Sequence, residues 1–309
     1  MVDSSNVAYV FPGQGSQWAG MGRDLYENFA SAKAVFQQAD EMLGFPLSKL
    51  CFEGPEEELR QTINAQPAIL TVSYACLEAA REVNPGLPPA CFVAGHSLGE
   101  YTALAASGVL DFRTAVYLAR ERGRLMHEAG TVRPGSMAAV IGLEESPLQE
   151  VCQQAGIFIV NRNSPGQLVI SGDSDGVVKA MELARDRGAA RVMLLSVSCA
   201  FHTPLMQPAV EGMTEIMSQV TFADPSIPVI ANVTACPLTT AQAVKEELVQ
   251  QLCSCVQWQR SVEFMINEGV TTFIEIGPGK VLAGLIKRIN REVQTINIGD
   301  APAVSSRLV

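Results

Sequence analysis

The sequence predicts an α/β fold, with helices packed on a parallel sheet and a smaller unit inserted into it. The strand-like runs, such as Val7–Phe11 and Thr272–Ile276, are apolar rather than alternating, which is typical of parallel strands buried on both faces. From about residue 136 the pattern changes to the order β-α-β-β-α-β, that of a ferredoxin-like unit. At 309 residues with 48% hydrophobic side chains, the chain is long enough for one large domain with such an insert.

The elements predicted before the insert include two turns that could carry function. The first strand, Val7–Phe11, ends in the glycine-rich loop 12–17, and loops at the carboxyl ends of parallel strands are where ligands bind. A strand at 90–94 leads through the second turn into a helix at 98–110. Helices are also predicted at 20–41, at 55–62, at 67–83, which Pro67 would open, and at 111–127.

The insert and the chain after it complete the predicted order. In the insert, strands are expected at 137–143, 157–160, 167–171 and 191–196, with helices at 145–155 and 174–187. After it we expect helices at 204–220, 240–253 and 258–268, strands at 229–232 and 272–276, and a last helix after Gly277-Pro278-Gly279. The large unit is thus assigned to 1–132 and 200–304, the insert to 133–199, and a patternless tail, which a vector could have added, to 305–309.

Composition and charge argue against several classes of function. A net charge of −10 disfavours binding to nucleic acid or to an anionic membrane. No uncharged apolar run reaches the ~18 residues of a membrane span, and no secretory signal opens the chain. The eight cysteines have no zinc-like spacing, so we expect reduced thiols, no metal and a cytoplasmic location. The loop 12–17 matches neither G-x-G-x-x-G nor a P-loop, which argues against a nucleotide site.

Ser97 is the foremost candidate for a catalytic residue. It lies in Gly95-His96-Ser97-Leu98-Gly99, between a strand-like and a helix-like run. Such a sharp strand-to-helix turn, a nucleophile elbow, needs glycine on both sides because a Cβ would block it. The following helix brings N–H groups and its positive dipole end to the place where an oxyanion would form. The pattern predicts acyl transfer through a covalent serine ester, with a plain glycine-rich turn as the alternative.

A serine hydroxyl needs a base, and the chain has three histidines. Because neighbours on an elbow point away from the nucleophile, His96 is expected to pack or to hydrogen-bond structurally. His127 lies near the end of a predicted helix, where solvent or the helix dipole would hold it. His202 follows the insert, where the chain returns to the large unit, and by elimination we predict it as the general base. A structural role for His202 stays open.

Helical periodicity places Arg122 on the buried face of the helix predicted at 111–127. In steps of four, three and four residues, that face carries Ala115, Ala119, Arg122 and Met126. Arg120, two residues earlier, falls outward. A buried guanidinium must meet an anion, either an internal one such as Glu100 or a substrate carboxylate held by two hydrogen bonds. The nearby elbow favours the substrate.

Eight short segments carry a resemblance to a known family. In chain order they are 11–17 (FPGQGSQ), 66–68 (QPA), 95–101 (GHSLGEY), 122–126 (RGRLM), 163–167 (NSPGQ), 200–202 (AFH), 256–258 (VQW) and 275–279 (EIGPG). Together they resemble the malonyl-CoA:acyl carrier protein transacylases and the related acyltransferase domains of polyketide synthases. The segments follow the family's order over nearly the whole chain.

The resemblance implies an α/β-hydrolase-like large subdomain with a ferredoxin-like insert. It also implies that Ser97 and His202 move a malonyl group from malonyl-CoA to acyl carrier protein, in a monomer that needs no cofactor. The implied site residues are the backbone amides of Gln14 and Leu98 as oxyanion hole, the carbonyl of Gln257 as partner of His202, Arg122 as partner of the malonyl carboxylate, and Gln66, Met126 and Asn163 as pocket residues. Ala200-Phe201, before His202, resembles the malonyl-selective members.

Other interpretations stay open. A serine esterase or thioesterase would share the elbow, but it would need an acidic residue and a histidine late in the chain, and the last histidine is His202. A non-catalytic docking domain would keep the fold without the intact candidate residues. Within the family, the motifs do not separate fatty acid synthesis from polyketide synthesis.

A carrier protein would need a local docking surface on this chain. Acyl carrier proteins are acidic, so an acidic chain should meet them through a basic patch. Basic side chains cluster at the edge of the insert and after the turn 277–279; from these clusters we expect docking residues at Arg187, Arg191, Lys287 and Arg288. Ordinary solvated charges are the alternative.

Overall fold

In the computed structural model, residues 6–84, 87–197 and 199–306 are described. The strands of these residues are β1 (Val7–Phe11), β2 (Phe92–Gly95), β3 (Ser136–Ile141), β4 (Phe158–Ser164), β5 (Gln167–Gly172), β6 (Arg191–Leu194), β7 (Val229–Ile230), β8 (Pro237–Leu238), β9 (Thr272–Ile276) and β10 (Gln294–Ile298). The helices are α1 (Arg23–Asn28), α2 (Ala30–Leu43), α3 (Leu47–Glu53), α4 (Glu56–Arg60), α5 (Thr62–Val83), α6 (Gly99–Ala106), α7 (Phe112–Val132), α8 (Glu145–Ala155), α9 (Ser174–Asp186), α10 (Gln207–Ser218), α11 (Ala241–Gln251), α12 (Trp258–Asn267), α13 (Val281–Ile289) and α14 (Ala301–Ser305). A short 3₁₀ helix, Pro204–Met206, precedes α10.

The larger sheet has the strand order β10-β9-β1-β2-β7-β8. Its neighbouring strands are parallel, except that β8 runs antiparallel to β7. Every residue of β1 and β9 is buried, including Glu275 of β9. This confirms the prediction that both faces of these strands are covered. Because β1 is the parallel neighbour of both β2 and β9, the segments that follow Phe11, Gly95 and Ile276 lie at one edge of the sheet.

The second sheet is antiparallel and has the order β4-β5-β3-β6. Its elements follow the predicted sequence, β3-α8-β4-β5-α9-β6. The helices α8 and α9 close a separate core on this sheet, in which Val140, Leu148 and Val177 are buried. Asn161 of β4 forms a bridge to Val256, just before α12, and this joins the two parts. The fold is therefore mixed α/β, with one largely parallel and one antiparallel sheet.

The helix around Pro67 differs from the prediction. Pro67 does not open a helix but lies inside α5. An internal proline leaves the carbonyl four residues earlier without its usual donor, and here that carbonyl belongs to Ile63. Arg120 Nη1 donates to this oxygen at 2.8 Å and to Asn64 Oδ1 at 2.6 Å. Arg120 is therefore half-buried rather than directed outward, and it compensates for the proline.

Other predicted boundaries shift as well. The helix expected at 20–41 is two helices, α1 and α2, because Phe29 between them has extended backbone. Strand β10 was not predicted, because it lies at the edge of the sheet and its polar residues interrupt the apolar run. The tail assigned to 305–309 overlaps α14, which ends at Ser305; residues 307–309 lie outside the described residues.

The described residues also carry two negative findings. None of their helices combines the length and hydropathy that a membrane span requires. Among the same residues, no group of three or more His, Cys, Asp or Glu side chains is arranged to hold a metal ion.

Candidate active site

Ser97 lies at the sharp turn between β2 and α6, as the elbow pattern predicts. Its φ is +52°, a left-handed conformation that is strained for any residue with a Cβ. A Cβ on Gly95 would lie 1.9 Å from the backbone of Gly99, and a Cβ on Gly99 would lie 2.1 Å from the carbonyl oxygen of Phe11. Both distances are far inside van der Waals contact, so the requirement for glycine on both sides is confirmed.

His202 lines the same cavity as Ser97 and lies within hydrogen-bond distance of it. Its Nε2 lies 2.8 Å from Ser97 Oγ, which is the reach needed between a nucleophile and its base. Burial, reinforced by the nearby Arg122 cation, lowers the pKa of His202 to about 3. The ring therefore stays neutral near neutral pH and can accept a proton.

The other two histidines occupy the structural positions expected for them. His96 Nε2 lies 2.8 Å from Asn163 Oδ1, and burial lowers the pKa of His96 below its ordinary value. His127 is exposed near the end of α7. Neither hydrogen-bonds to Ser97, so the structure brings the nucleophile and the base together as the elimination predicted.

The carbonyl that holds His202 belongs to Gln251, and the resemblance-based assignment to Gln257 is wrong. His202 Nδ1 lies 2.8 Å from the carbonyl oxygen of Gln251. A carbonyl can only accept, so Nδ1 carries the proton and Nε2 is left to accept one from Ser97. Gln251 ends α11, and the last carbonyls of a helix have no partner within it. Gln257 instead donates its N–H to the carbonyl of Asn232 at 2.7 Å.

Arg122 points inward from α7, as its helical position predicts, and is 1% exposed. Its Nη1 donates to Gln66 Oε1 at 2.7 Å, and its Nη2 donates to Gln251 Oε1 at 2.7 Å and to Ser97 Oγ at 3.1 Å. Glu100, the expected internal partner, does not contact the guanidinium directly, because the Gln251 amide lies between them. The cation is thus held at the nucleophile by neutral amides.

Of the remaining predicted pocket residues, Met126 lines the cavity, whereas Gln66 and Asn163 lie behind its lining. A cavity of about 390 Å³ opens over the serine. Its lining includes Gln14, His96, Ser97, Leu98, Arg122, Met126, Phe201 and His202. Gln66 lies behind Arg122 and donates its Nε2 to Met126 Sδ at 3.6 Å. Asn163 is positioned through His96.

Two of the side chains predicted for docking lie at the edge of the sheet opposite to Ser97. Lys287 and Arg288 belong to the last turn of α13, and Lys287 Nζ donates to the carbonyl of Val293 at 2.6 Å. Val293 immediately precedes β10, which is parallel to β9. This is the amino edge of the sheet, whereas Ser97 follows the carboxyl end of β2, so Lys287 and Arg288 do not lie beside the cavity. Their role in docking stays a prediction.

The basic residues of the insert are also displaced from the cavity. Arg187 is paired with Glu150 at 2.6 Å. Arg191 begins β6, while the cavity is lined by residues 195–197, beyond the other end of that strand. A cation that the sequence analysis did not single out, Arg60, does line the cavity. It is paired there with Glu56 at 2.9 Å.

Asn232 and Gln251 are functional candidates that the sequence analysis missed. Asn232 Oδ1 accepts the N–H of Ser97 at 2.7 Å, and Gln251 Nε2 donates to the Ser97 carbonyl at 3.0 Å. Asn232 follows a short parallel strand, and the rule that ligand-binding residues follow strand ends could have found it. Gln251 lies in a polar helix and has no comparable local pattern.

Comparison with known proteins places this site in a family. Residues 8–301 match the family described as "Acyl transferase domain". The malonyl CoA-acyl carrier protein transacylase of Bacillus subtilis is 48% identical over 97% of this chain and 95% of its own length. The crystal structure of an acyl-carrier-protein-S-malonyltransferase from Bartonella henselae has a TM-score of 0.93 at 42% identity, with 97% of each chain covered.

One further solved structure is that of a partner complex. It is described as a type II PKS acyl-carrier protein in complex with its malonyl-transacylase, and it matches with a TM-score of 0.93 at 39% identity over 97% of each chain. The match to the family covers most of the chain, and the identity to curated relatives extends over almost its full length. The chain belongs to the acyl transferase family and, within it, to the malonyl CoA-acyl carrier protein transacylases.

Proposed function

We propose that this chain transfers a malonyl group from malonyl-CoA to the phosphopantetheine thiol of acyl carrier protein. The proposal rests on two contacts made by the hydroxyl oxygen of Ser97. Ser97 Oγ lies 2.8 Å from His202 Nε2 and 3.1 Å from Arg122 Nη2. The base and a cation for an acidic acyl group are therefore each within one hydrogen-bond length of the nucleophile.

In the first half-reaction His202 Nε2 takes the proton of Ser97 as Oγ attacks the thioester carbonyl. The proposed donors to the oxyanion are two backbone amides, that of Gln14 in the loop after β1 and that of Leu98 at the start of α6. The C–S bond then breaks, and the imidazolium gives its proton to the departing CoA sulfur. The products are the malonyl-Ser97 ester and CoA.

The second half-reaction runs the same steps with a different thiol. The pantetheine thiol gives its proton to His202 and attacks the ester carbonyl, and the Ser97 oxygen leaves and regains the proton. Transfer requires that water be kept from the ester between the two steps. His202 is held by a backbone carbonyl rather than by the carboxylate expected for the alternative, a serine esterase, which favours acyl transfer.

Arg122 supplies the selectivity for a carboxylated acyl chain. In a malonyl group the carboxylate carbon is two bonds from the carbonyl carbon that Ser97 attacks. A cation that contacts Ser97 Oγ is thus placed to bind that carboxylate. An acetyl group would leave the buried guanidinium without an anion, which disfavours its transfer by about 10²-fold or more.

The remaining assignments belong to the same proposal. We propose an α/β-hydrolase-like catalytic subdomain at 1–132 and 200–304 and a ferredoxin-like subdomain at 133–199, since the strand order and pairing of the second sheet are those of that fold. The complex in which a related enzyme binds a carrier protein favours the same class of partner here. The enzyme would act as a cytoplasmic monomer without a cofactor, in fatty acid synthesis or alongside a polyketide synthase.

The proposal is tested by intact-mass spectrometry and turnover. Incubation with malonyl-CoA should add one malonyl group to the wild type and none to Ser97→Ala. Adding holo-acyl carrier protein should remove the group from the enzyme and load the carrier. Labelling that persists in Ser97→Ala would contradict the nucleophile, and release of free malonate at the same rate with and without carrier protein would identify a thioesterase.

A further inference from the structure

Behind the catalytic serine lies a set of buried polar side chains that the reaction itself does not use. Glu100, in the first turn of α6, is 0% exposed, as is Gln251, and Asn232 is 2% exposed. They come from three separate parts of the chain and are joined by hydrogen bonds. Buried polar groups of this kind are costly unless every donor and acceptor is satisfied.

Asn232 binds the strained turn on one side. Its Oδ1 accepts the N–H of Ser97 at 2.7 Å, and its Nδ2 donates to the carbonyl of Gly95 at 2.7 Å. These two bonds span the residues on which the elbow turns. They also fix the direction of the amide, because the serine requires an acceptor and Gly95 requires a donor.

Gln251 binds the turn on the other side. Its Nε2 donates to the carbonyl of Ser97 at 3.0 Å, and its Oε1 accepts from Arg122 Nη2 at 2.7 Å. The orientation of this amide is again fixed by its partners, since a carbonyl needs a donor and a guanidinium needs an acceptor.

Each amide has one further N–H, and both point to the carboxyl group of Glu100. Asn232 donates to Oε1 through its backbone N at 3.0 Å and through Nδ2 at 3.1 Å. Gln251 Nε2 donates to Oε2. Both carboxyl oxygens thus act as acceptors. Oε1 accepts from Asn232 and Oε2 accepts from Gln251, the two residues that hold Ser97.

We infer that Glu100 is a positioning residue. It orients Asn232 and Gln251, and through them it holds the nucleophile and the substrate-binding Arg122 in place relative to each other. The part of this inference that concerns Arg122 rests on the proposed function. Glu100 itself touches no reacting atom. Because Glu100 binds both amides, its loss affects the two hydrogen bonds that hold the backbone of Ser97 and also the bond from Gln251 to the Arg122 guanidinium.

The chemistry of the site requires an acceptor at both oxygens, which explains why glutamine would not serve at this position. In Glu100→Gln one oxygen becomes an NH₂ group. If the new NH₂ group faces Gln251, it meets the NH₂ group of that residue, and rotating the Gln251 amide would only turn its NH₂ group towards the Arg122 guanidinium, which is also a donor. If the new NH₂ group faces Asn232, it meets the backbone N–H and the side-chain NH₂ of that residue, which are both donors. The substitution therefore keeps the size of the side chain but breaks one arm of the network.

Glu275→Gln is a matched control. Glu275 is 1% exposed, and its two oxygens likewise accept only from N–H groups, those of Leu282 at 3.1 Å and Ala283 at 2.8 Å. It contacts neither Asn232 nor Gln251. The control loses a buried carboxylate of the same kind without touching the elbow.

The experiment compares the two variants by turnover per active serine. A fluorophosphonate that reacts with Ser97 counts the folded sites, and malonyl and acetyl transfer are then measured on the same samples. In Glu100→Gln we expect kcat per titrated site to fall about 10- to 100-fold for both acyl groups and the preference for malonyl to weaken. In Glu275→Gln both should stay within about twofold of the wild type.

A second variant keeps the inference testable if Glu100→Gln does not fold. Asn232→Ala removes the bond to the Ser97 N–H but leaves Arg122 and Gln251 in place, so kcat per site should fall while the malonyl preference is retained. The inference would be overturned if kcat per titrated site in Glu100→Gln stayed within twofold of the wild type. Where only Asn232→Ala folds, the same result in that variant would overturn it. A wild type that reacts with fluorophosphonate but does not transfer malonyl would instead contradict the proposed function, and the rate of phosphonylation of the variants would still report on the elbow.

Discussion

The segment around Ser97 and the segment around His202 meet in one hydrogen bond, but they obtain their geometry in different ways. Both residues have positive φ, +52° for Ser97 and +60° for His202. At Ser97 the turn is built by its own neighbours, because Gly95 and Gly99 leave the space that the backbone needs. At His202 the ring is oriented by the end of a distant helix, through the carbonyl of Gln251.

This difference shows that a nucleophile and its base can be specified at different levels of structure. The glycines of a five-residue motif leave the space that the elbow needs, and Asn232 and Gln251 then hold it by hydrogen bonds. Substitutions within the motif should therefore act directly on the fold of the turn. The base depends on the packing of α11 against the rest of the molecule, so substitutions near it should change chemistry and pH dependence rather than the turn.

The largest effect is expected from Gly99→Ala, which would remove the local basis of the elbow. The new Cβ would lie 2.1 Å from the carbonyl oxygen of Phe11, so β1 and α6 would have to separate. We expect no measurable malonyl transfer and a loss of at least about 1–3 kcal/mol in the free energy of unfolding, measured by urea denaturation. Gly284→Ala, where a Cβ meets no atom within 4 Å, is the control, and wild-type activity in Gly99→Ala would contradict the account.

His202→Ala should have the next largest effect, through loss of the base with the turn intact. Removal of a general base typically costs about 10²–10⁴-fold in rate. We expect such a fall in kcat with an unchanged circular dichroism spectrum and melting temperature near that of the wild type. His127→Ala serves as the control, since that ring is exposed. Equal losses in the two variants would rule out a special role for His202.

Arg122→Ala should separate the acyl groups and move the pH profile. Malonyl transfer should fall about 10²-fold or more, while acetyl transfer is retained. The Arg122 cation helps to lower the pKa of His202, with burial as the larger cause. Removing it makes the ring easier to protonate, so the acid limb of acetyl transfer should move to higher pH. Equal loss for both acyl groups, with no shift of that limb, would mean that Arg122 only supports the fold.

The smallest effect is expected from Gln257→Ala, which tests whether the side chain of Gln257 takes part in the reaction. The side chain of Gln257 makes no hydrogen bond to His202, whose Nδ1 partner is the Gln251 carbonyl. Transfer rates should therefore stay within about twofold of the wild type. A loss comparable to that of His202→Ala would show that the Gln257 side chain has a role in the reaction, which its contacts do not account for.

The site could be predicted from sequence where its geometry is local or periodic. The elbow follows from two glycines beside a serine, and the inward direction of Arg122 follows from helical spacing. Elements with weaker patterns cannot be predicted in this way. The strand β10 lies at an edge and has polar residues, and Pro67 by itself favours a helix start because a proline is commoner at the first position of a helix than inside it. Arg120 makes the internal position tolerable, and no pattern along α5 indicates this.

The sequence by itself determined the order of the strands and helices in the insert, the glycine pattern of the turn at Ser97 and the buried face of α7, because each depends on residues that are close along the chain. Tertiary structure alone decided the partners. Ser97 and His202 are 105 residues apart, and His202 and Gln251 are 49 apart, so these bonds depend on how helices pack on the sheet. Tertiary structure also decided where the basic clusters lie and which groups Glu100 binds, because the fold determines which charged and buried groups face each other.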